Sequence, residues 1–190
     1  MSSDLTIKLT QGLARVCPWL PDSERLRVLI VSLLIVGPGW FAFDALTGFV
    51  GSHYQFKYDT QHYTCLPWRA YLIHMRPPAR IRHGQILGFY PHGRMGPSFD
   101  APGLMVYKMV AGVPGDELLV ENDKAYVNGR YLGPLDLIHR LGKPSGYYDR
   151  HQIVPNGQYL LVGTLPRTYD GRYWGFVPAG EIIAELAPLW

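Results

Sequence analysis

Beyond residue 50 the chain consists of short apolar or alternating stretches separated by turn-forming residues. These stretches span residues 70–75, 85–90, 104–110, 117–121, 125–127 and 158–163. Each is bounded by Gly, Pro, Asn or Asp, which end strands and form turns. Short strands at this spacing, without helical periodicity between them, are typical of antiparallel sheets. The pattern therefore predicts a mainly β domain, built as an antiparallel sheet or a small barrel.

Two segments of this region allow a more local prediction. Asn128-Gly129 is the preferred central pair of a two-residue type I′ turn, so residues 124–132 should form a tight hairpin. Residues 134–151, in contrast, show no strand periodicity and are predicted to form a loop.

A long apolar run precedes the β region. Residues 28–50 are interrupted by a single charge, Asp44, and a helix that spans a membrane needs about 20 apolar residues. Aromatic side chains cluster within residues 40–43, as is usual at a membrane interface. A buried core helix is the alternative, but such helices are usually shorter than this uncharged run. We predict a membrane anchor over residues 27–50, with a kink at Pro38.

The charges that flank this run predict its orientation. Arg25 and Arg27 precede it, whereas no basic residue follows it until Lys57. Because positively charged flanks stay in the cytoplasm, residues 1–26 should be cytoplasmic and residues 51–190 should lie outside. A cleavable signal peptide is the competing interpretation. However, more than 20 residues precede the run and no clean small-x-small cleavage site follows it, so an uncleaved anchor fits better.

Charge and cysteine content narrow the classes of function. The formal net charge is +3 and the basic residues are scattered rather than clustered, so nucleic-acid binding is not expected. The two cysteines, Cys17 and Cys65, fall on opposite sides of the predicted span and therefore cannot pair. Cys65 is thus a lone thiol outside the cytoplasm, where an odd cysteine is a liability unless it is used or protected.

Three segments carry the candidate chemistry. The first, residues 63–71, contains Cys65. The second, residues 107–116, contains Lys108 followed by an apolar stretch that ends in Gly-Val-Pro-Gly-Asp, and the third, residues 166–178, reads PRTYDGRYWGFVP. Acyl transfer requires a nucleophile and a base that removes its proton, and Cys65 and Lys108 are candidates for these two roles.

The second and third segments resemble the lysine box and the C-terminal box of signal peptidase I. The C-terminal box usually reads Ser-x-Asp-Ser-Arg-Tyr-Trp-Gly-x-Val-Pro, and this chain has Thr168 and Gly171 in place of the two serines. Residues 84–89 and 126–129 are similar to a strand and a hairpin of the same family, in the same order. The resemblance implies a signal peptidase-like antiparallel β domain with peptidase activity. It also implies a single-pass protein of the bacterial inner membrane, with its catalytic domain in the periplasm.

The first segment is most similar to the conjugative-transfer branch of that family, whose nucleophile motif reads Ser-x-Pro-x-Gly-x-Tyr. Pro67 and Tyr71 keep this register, whereas Cys65 replaces the serine and residues 68–70 depart from the pattern. This branch matures conjugative pilins, in some members by joining the ends of the pilin into a ring. The implied partners are therefore the lipid bilayer and a membrane-tethered precursor such as a propilin.

The resemblance implies four catalytic roles. Cys65 is the nucleophile and Lys108 the general base, while Thr168 orients the lysine amine and Asp170 pairs with Arg172 to fix the C-terminal box. A lysine accepts a proton near neutrality only if its pKa falls well below about 10.4, an effect that burial among apolar groups produces. Lys108 has apolar neighbours on both sides. The alternatives are a lysine that snorkels from an edge strand and, for Arg172, a surface ion pair of little energetic value.

The residues beside the nucleophile are expected to bind the substrate. An extended peptide should lie along a strand edge next to Cys65, in contact with Tyr63, Thr64, Leu66 and Pro67. The backbone N–H of Cys65 is the expected oxyanion donor, and the side chain of Tyr63 or Thr64 is a candidate for the second donor.

Two alternatives remain open at the level of the sequence. The histidines are irregularly spaced, so neither a metal nor another cofactor is expected, but His62 or His92 could replace the lysine as the base for Cys65. The second alternative is a catalytically inactive signal peptidase-like fold that acts as a binding partner in a secretion or conjugation assembly.

Overall fold

A computed structural model of the protein describes residues 24–62, 64–93, 95 and 103–189. For residues 24, 25 and 27 it describes the backbone alone. Tyr63, one of the residues expected to bind substrate, lies outside the described part of the chain, as do the first 23 residues.

The apolar run forms a single helix, α1 (Glu24–His53), which continues through Pro38. Its segment Val28–His53 has a mean hydropathy of 1.9, and none of its most apolar window is buried. By length and composition it is able to cross a membrane. The chain divides into two compact units between Gly51 and Ser52. The orientation of the helix in a membrane remains a prediction.

The second unit is a mainly antiparallel β structure, which confirms the fold class predicted from the sequence. Its strands form one seven-stranded sheet in the order β1-β2-β11-β3-β4-β9-β10 and one four-stranded sheet in the order β7-β6-β5-β8. The strands are β1 (Tyr54–Tyr58), β2 (Ala70–His74), β3 (Ile86–Phe89), β4 (Val106–Gly112), β5 (Glu117–Glu121), β6 (Lys124–Val127), β7 (Arg130–Pro134), β8 (Arg150–Ile153), β9 (Gln158–Val162), β10 (Val177–Pro178) and β11 (Ile182–Pro188).

Four of these strands, β1, β8, β10 and β11, were not predicted. The side chains of β1 are all exposed and it directly follows the apolar helix, so its alternation carries no signal of a buried face. Strand β8 occupies the end of the segment predicted to be a loop, and β7 takes its first residue, Pro134. A one-turn helix, α2 (Gly171–Trp174), and a 3₁₀ turn, Ala179–Glu181, complete the fold.

The hairpin between β6 and β7 forms as predicted. Asn128 and Gly129 have φ angles of 50° and 73°, the left-handed conformation that a type I′ turn requires, and Val127 pairs with Arg130. The Asn128 side-chain amide donates to Asp116 Oδ1 over 2.7 Å, so the hairpin holds the turn that ends the lysine box. Burial opposes the charge of Asp116, but hydrogen bonds from Val113, Asn128 and His83 lower its pKa.

The alternation of β4 decides where the lysine points. Val106, Lys108 and Val110 face the interior of the domain, while the residues between them are only partly buried. Successive side chains of a strand point to opposite faces, so Lys108 shares the face of two core valines. A lysine that snorkels to the surface is therefore excluded, because the Lys108 side chain is 1% exposed.

Candidate active site

The turn that precedes β2 presents Cys65. The carbonyl oxygen of Cys65 accepts hydrogen bonds from the backbone N–H groups of Thr164 (2.9 Å) and Leu165 (3.2 Å). The loop after β9 therefore fixes the position of this turn. The thiol is free and partly exposed.

Two tyrosines, one buried and one half-buried, form hydrogen bonds near the turn that presents Cys65. Tyr71 donates to the carbonyl of Trp68 over 2.6 Å, and Tyr107 donates to Asp59 Oδ2 over 2.8 Å. Burial raises the pKa of Tyr71 to about 12, with a further contribution from the charge of Asp59. Burial and the hydrogen bond to Asp59 also raise the pKa of Tyr107. Both phenols therefore stay protonated near neutral pH and keep these bonds.

Lys108 reaches Cys65 from the interior of the domain. Its side chain is 1% exposed, and its Nζ lies 2.6 Å from Cys65 Sγ. The two residues are 43 positions apart in sequence, so the contact depends on the packing of β4 against the turn before β2. An amine within hydrogen-bond reach of a thiol is placed to take its proton, which is the geometry that nucleophilic catalysis requires.

A buried cluster from the third segment lies next to this pair. Asp170 is 0% exposed and binds Arg172 through two hydrogen bonds, from Nε over 2.9 Å and from Nη2 over 2.8 Å. Its carboxylate also accepts from the Gly163 N–H and the Thr168 hydroxyl. Burial opposes the charge of Arg172, but its hydrogen bonds to Asp170 outweigh this effect and raise its pKa. Asp170 and Arg172 therefore form a buried ion pair and not a surface one.

Thr168 has a different partner from the one expected. Its hydroxyl donates to Asp170 Oδ2 over 2.6 Å and accepts from Arg172 Nη2 over 2.7 Å. Thr168 lines the same cavity as Lys108, but among the described residues the lysine amine donates to Cys65 and not to Thr168. The direct hydrogen bond expected from the sequence is thus not formed, and the hydroxyl hydrogen is directed to Asp170 instead.

The buried ion pair predicts a large loss of stability in Asp170→Asn. Removing one partner of a buried pair leaves an uncompensated charge, which costs about 3–5 kcal/mol. For a domain of this size we expect the melting temperature of the detergent-solubilised full chain to fall by about 10 °C. The double variant Asp170→Asn/Arg172→Met should recover part of this loss, and the matched control Glu121→Gln, at an exposed carboxylate, should change little. Equal melting temperatures for Asp170→Asn and Glu121→Gln would contradict the prediction.

The expected substrate contacts are only partly accessible. Leu66 is 1% exposed and packs in an apolar cluster with Tyr71 and Ile73, so its side chain is covered and anchors the turn that presents Cys65. Thr64 is half-buried and Pro67 is exposed, and their role in binding remains a prediction.

Two cavities meet at Cys65. The lysine-side cavity, about 410 Å³, is lined by Cys65, Lys108, Thr168, Tyr169 and residues of two loops. The strand-side cavity, about 160 Å³, runs along residues 104–107 and 57–61. In this second cavity the first half of β4 has no strand partner on the side of β9, because β9 pairs only from Met109 onwards. A peptide could add a strand there.

Neither histidine considered as an alternative base lies at Cys65. His92 Nε2 is 2.9 Å from Glu181 Oε2, and the His92 side chain is largely exposed. His62 is exposed, and neither residue lines the two cavities at Cys65. Within the described residues, no group of three or more His, Cys, Asp or Glu side chains could hold a metal ion.

The family model for signal peptidase, peptidase S26, matches residues 30–190. The chain belongs to this signal peptidase family. Among curated proteins, this S26 member is 36% identical over 79 residues to the "Probable signal peptidase I-2" of Synechocystis sp., which covers 41% of this chain and 34% of the relative. It is 29% identical over 113 residues to the "Signal peptidase I" of Leptolyngbya laminosa, covering 59% of this chain and 52% of the relative.

These matches extend over only part of each relative. The S26 member spans between 34% and 52% of the length of these two curated proteins. A solved structure, the signal peptidase I of Enterococcus faecalis V583, is 25% identical, with a TM-score of 0.36 and coverage of 57% of this chain and 97% of that chain.

One departure from the usual C-terminal box of the S26 family has a steric cause in this chain. A Cβ at Gly171, where the box usually has serine, would lie 2.8 Å from both the Leu161 carbonyl oxygen and Leu160 Cδ1. Contacts this short with backbone do not occur for real Cβ atoms, so α2 packs on β9 only because residue 171 lacks a side chain. The glycine thus keeps Asp170 close to β9 and to the loop that holds Cys65.

Several residues at the site were not identified from the sequence. Asp59 orients Tyr107, and Arg140 and Arg167 line the lysine-side cavity. None of the three belongs to a motif. Asp59 is the one charged residue between Lys57 and Cys65, which is a weak signal by itself.

Proposed function

We propose that this S26 member is a membrane-anchored peptidase that processes an exported precursor through the Cys65–Lys108 pair. The observation that carries the proposal is the 2.6 Å contact between Lys108 Nζ and Cys65 Sγ, made by a lysine that is 1% exposed. A thiol has an ordinary pKa near 8.5, so a lysine base removes its proton more readily than that of a serine hydroxyl. The replacement of serine by cysteine is therefore compatible with activity.

The reaction begins with transfer of the thiol proton to Lys108. The thiolate of Cys65 attacks the scissile carbonyl carbon, and the backbone N–H of Cys65 is placed to stabilise the oxyanion. The carbon–nitrogen bond breaks as the Lys108 ammonium returns the proton to the leaving amine, which leaves a thioester on Cys65. Water then attacks the thioester, with Lys108 again accepting a proton, and the acid product leaves as the cysteine thiol is restored.

The substrate we propose is the exported part of a membrane-tethered precursor. The support comes from helix α1, which is long and apolar enough to span a membrane, and from the basic residues that precede it in the sequence. With this orientation the catalytic domain lies in the periplasm of a bacterium and the first residues lie in the cytoplasm. The small side chains of the substrate enter the strand-side cavity.

Within this class we propose that the precursor is a conjugative pilin. The motif Cys65-x-Pro67 with Tyr71 at the following tyrosine position supports this narrower function. If a peptide amine reaches the thioester before water does, the product is a new peptide bond. When the amine is the N-terminus of the same chain, the pilin becomes circular and the water-consuming step is absent.

Intact mass of the product tests the proposal. Candidate pilin precursors should be co-expressed with the wild-type protein or with Cys65→Ala, and the products weighed by mass spectrometry. We expect a shortened pilin only with the wild-type protein, and a ring will weigh one water less than the linear product. A precursor that keeps its full mass with the wild-type protein would instead support an inactive fold. A linear mature product would restrict the function to cleavage.

A further inference from the structure

The two cavities at Cys65 differ in charge. The lysine-side cavity contains two arginines, Arg140 and Arg167, beside the proposed base Lys108, and none of the described residues that line it is acidic. The strand-side cavity contains both signs, Lys57 and Asp59. A peptide bound across Cys65 therefore meets basic but no acidic described side chains in the lysine-side cavity, and side chains of both signs in the strand-side cavity.

The proton transfers decide which half of the substrate occupies the cationic side. The base that takes the thiol proton must return it to the leaving amine, so the leaving amine lies next to Lys108 Nζ. Lys108 lines the lysine-side cavity, whereas the strand-side cavity offers the unpaired edge of β4 for the acyl half. The residues that follow the scissile bond therefore extend towards Arg140 and Arg167.

Arg140 is held in place by a structured turn. The backbone N–H of Leu137 donates to the Tyr173 hydroxyl over 2.9 Å, and the N–H of Leu141 donates to the Leu137 carbonyl over 2.9 Å. Leu137 and Ile138 are buried in the main core. The turn is thus attached to the C-terminal box, although the sequence of this segment contains no motif. The exposed guanidinium of Arg140 therefore lies at the end of a packed turn.

Arg167 is held by the loop that binds the nucleophile turn. Its φ angle is 61°, a left-handed conformation that is uncommon for a residue other than glycine. The same loop donates two backbone hydrogen bonds to the Cys65 carbonyl and is followed by the buried Thr168. Such strained conformations persist only where the surrounding contacts impose them, and they cluster at functional sites.

Neither guanidinium has an anionic partner on the described part of the chain. The acidic residue of the neighbouring turn, Asp136, acts electrostatically on Arg172 and Tyr173. Two exposed arginines on anchored backbone, with no anionic partner among the described residues, line the cavity that contains Cys65 and Lys108, and guanidinium groups are suited to bind a carboxylate.

We propose that Arg140 and Arg167 bind a carboxylate in the part of the substrate that leaves after cleavage. The assignment of the leaving side rests on the proposed function. The carboxylate is either an acidic side chain a few residues after the scissile bond or the free C-terminus of a short leaving segment. In both cases the pair determines specificity, because it selects acidic leaving segments over neutral ones.

Alkylation of Cys65 tests whether the lysine-side cavity prefers a carboxylate, without requiring catalytic turnover. Iodoacetate and iodoacetamide have the same shape and differ in charge, and both form a thioether as the cysteine thiolate displaces iodide. The ratio of their rates at Cys65, read by peptide mass spectrometry on the full chain in detergent, reports the preference for a carboxylate. We expect Arg140→Gln/Arg167→Gln to lower the iodoacetate-to-iodoacetamide ratio by about three- to tenfold. The matched control is Arg130→Gln, an exposed arginine outside both cavities.

Salt and short peptides complete the test. In 1 M NaCl the wild-type ratio should approach that of the double variant, because salt screens exposed charges. Protection of Cys65 from iodoacetamide by tetra-alanine with a free C-terminus indicates the terminal carboxylate, and protection by amidated Ala-Glu-Ala-Ala indicates the side chain. An unchanged ratio in the double variant, or a Cys65 inert to both reagents, overturns the proposal. Failure of the proposed function gives a different result, because it appears as an unprocessed precursor in the co-expression experiment and not as a change in the alkylation ratio.

Discussion

Replacing Cys65 with alanine should abolish processing of the precursor. Alanine keeps the backbone N–H that we propose as oxyanion donor but removes the sulfur atom that we propose attacks the carbonyl. In a serine protease the loss of the nucleophile lowers kcat on the order of 10⁶-fold, and we expect a loss of similar size here. Cys65 lies 2.6 Å from the buried Lys108, so its removal eliminates the only thiol within reach of this base on the described chain. Product mass in a time course of co-expression is the measurement.

Serine at the same position provides the informative comparison. Cys65→Ser should retain some activity, because the same lysine can deprotonate a hydroxyl, although less readily than a thiol. Cys17→Ala, on the other side of the predicted span, is the matched control and should process at the wild-type rate. Mature product at the normal rate in Cys65→Ala would show that Cys65 is not the nucleophile.

Replacing Lys108 with methionine should stop acyl transfer while leaving the fold intact. Methionine has a similar length and is apolar, so it can occupy the buried face that Lys108 shares with Val106 and Val110. It removes the amine that contacts Cys65, and general-base catalysis typically contributes about 10²- to 10⁴-fold. Thioester formation in a single turnover, followed by mass spectrometry, should fall by at least this factor, with the melting temperature nearly unchanged.

Lys108→Arg separates the charge of this residue from its ability to accept a proton. Arginine keeps a cation but cannot be deprotonated in proteins, so this variant should also be inactive.

The pH profile of the wild-type protein provides an independent measurement. A lysine must be neutral before it can take the thiol proton, so thioester formation should increase with pH above neutrality. A histidine base would place the increase near pH 6.5, and a profile already flat at that pH would contradict the lysine as a simple general base.

Much of the domain, and the choice of Cys65 and Lys108 as candidate catalytic residues, followed from local pattern. The turn at Asn128-Gly129 was predictable because two left-handed residues in succession restrict the choice of amino acid. Strand β4 was predictable because residues 104–110 form an apolar stretch bounded by turn residues, and the period of two in a strand then puts Lys108 on the same face as Val106 and Val110. The helix α1 followed from the length of one apolar run. In each case neighbours in the sequence supply the physical constraint.

Contacts between distant segments decided the rest. Leu66, next to the nucleophile, turned out to be a core residue because β2 and β11 cover it, and no periodicity near Cys65 indicates this. Arg172 is buried and holds Thr168, so the threonine hydroxyl is directed to the ion pair and not to the lysine. Arg140 reaches the site only because its turn packs under Tyr173, 36 residues from Leu137 in sequence. The sequence by itself determined the mainly β fold, the apolar helix and the candidate catalytic residues, since strand periodicity and motif order are local. Which of their neighbours face the cavities was decided by long-range packing, which no local pattern records.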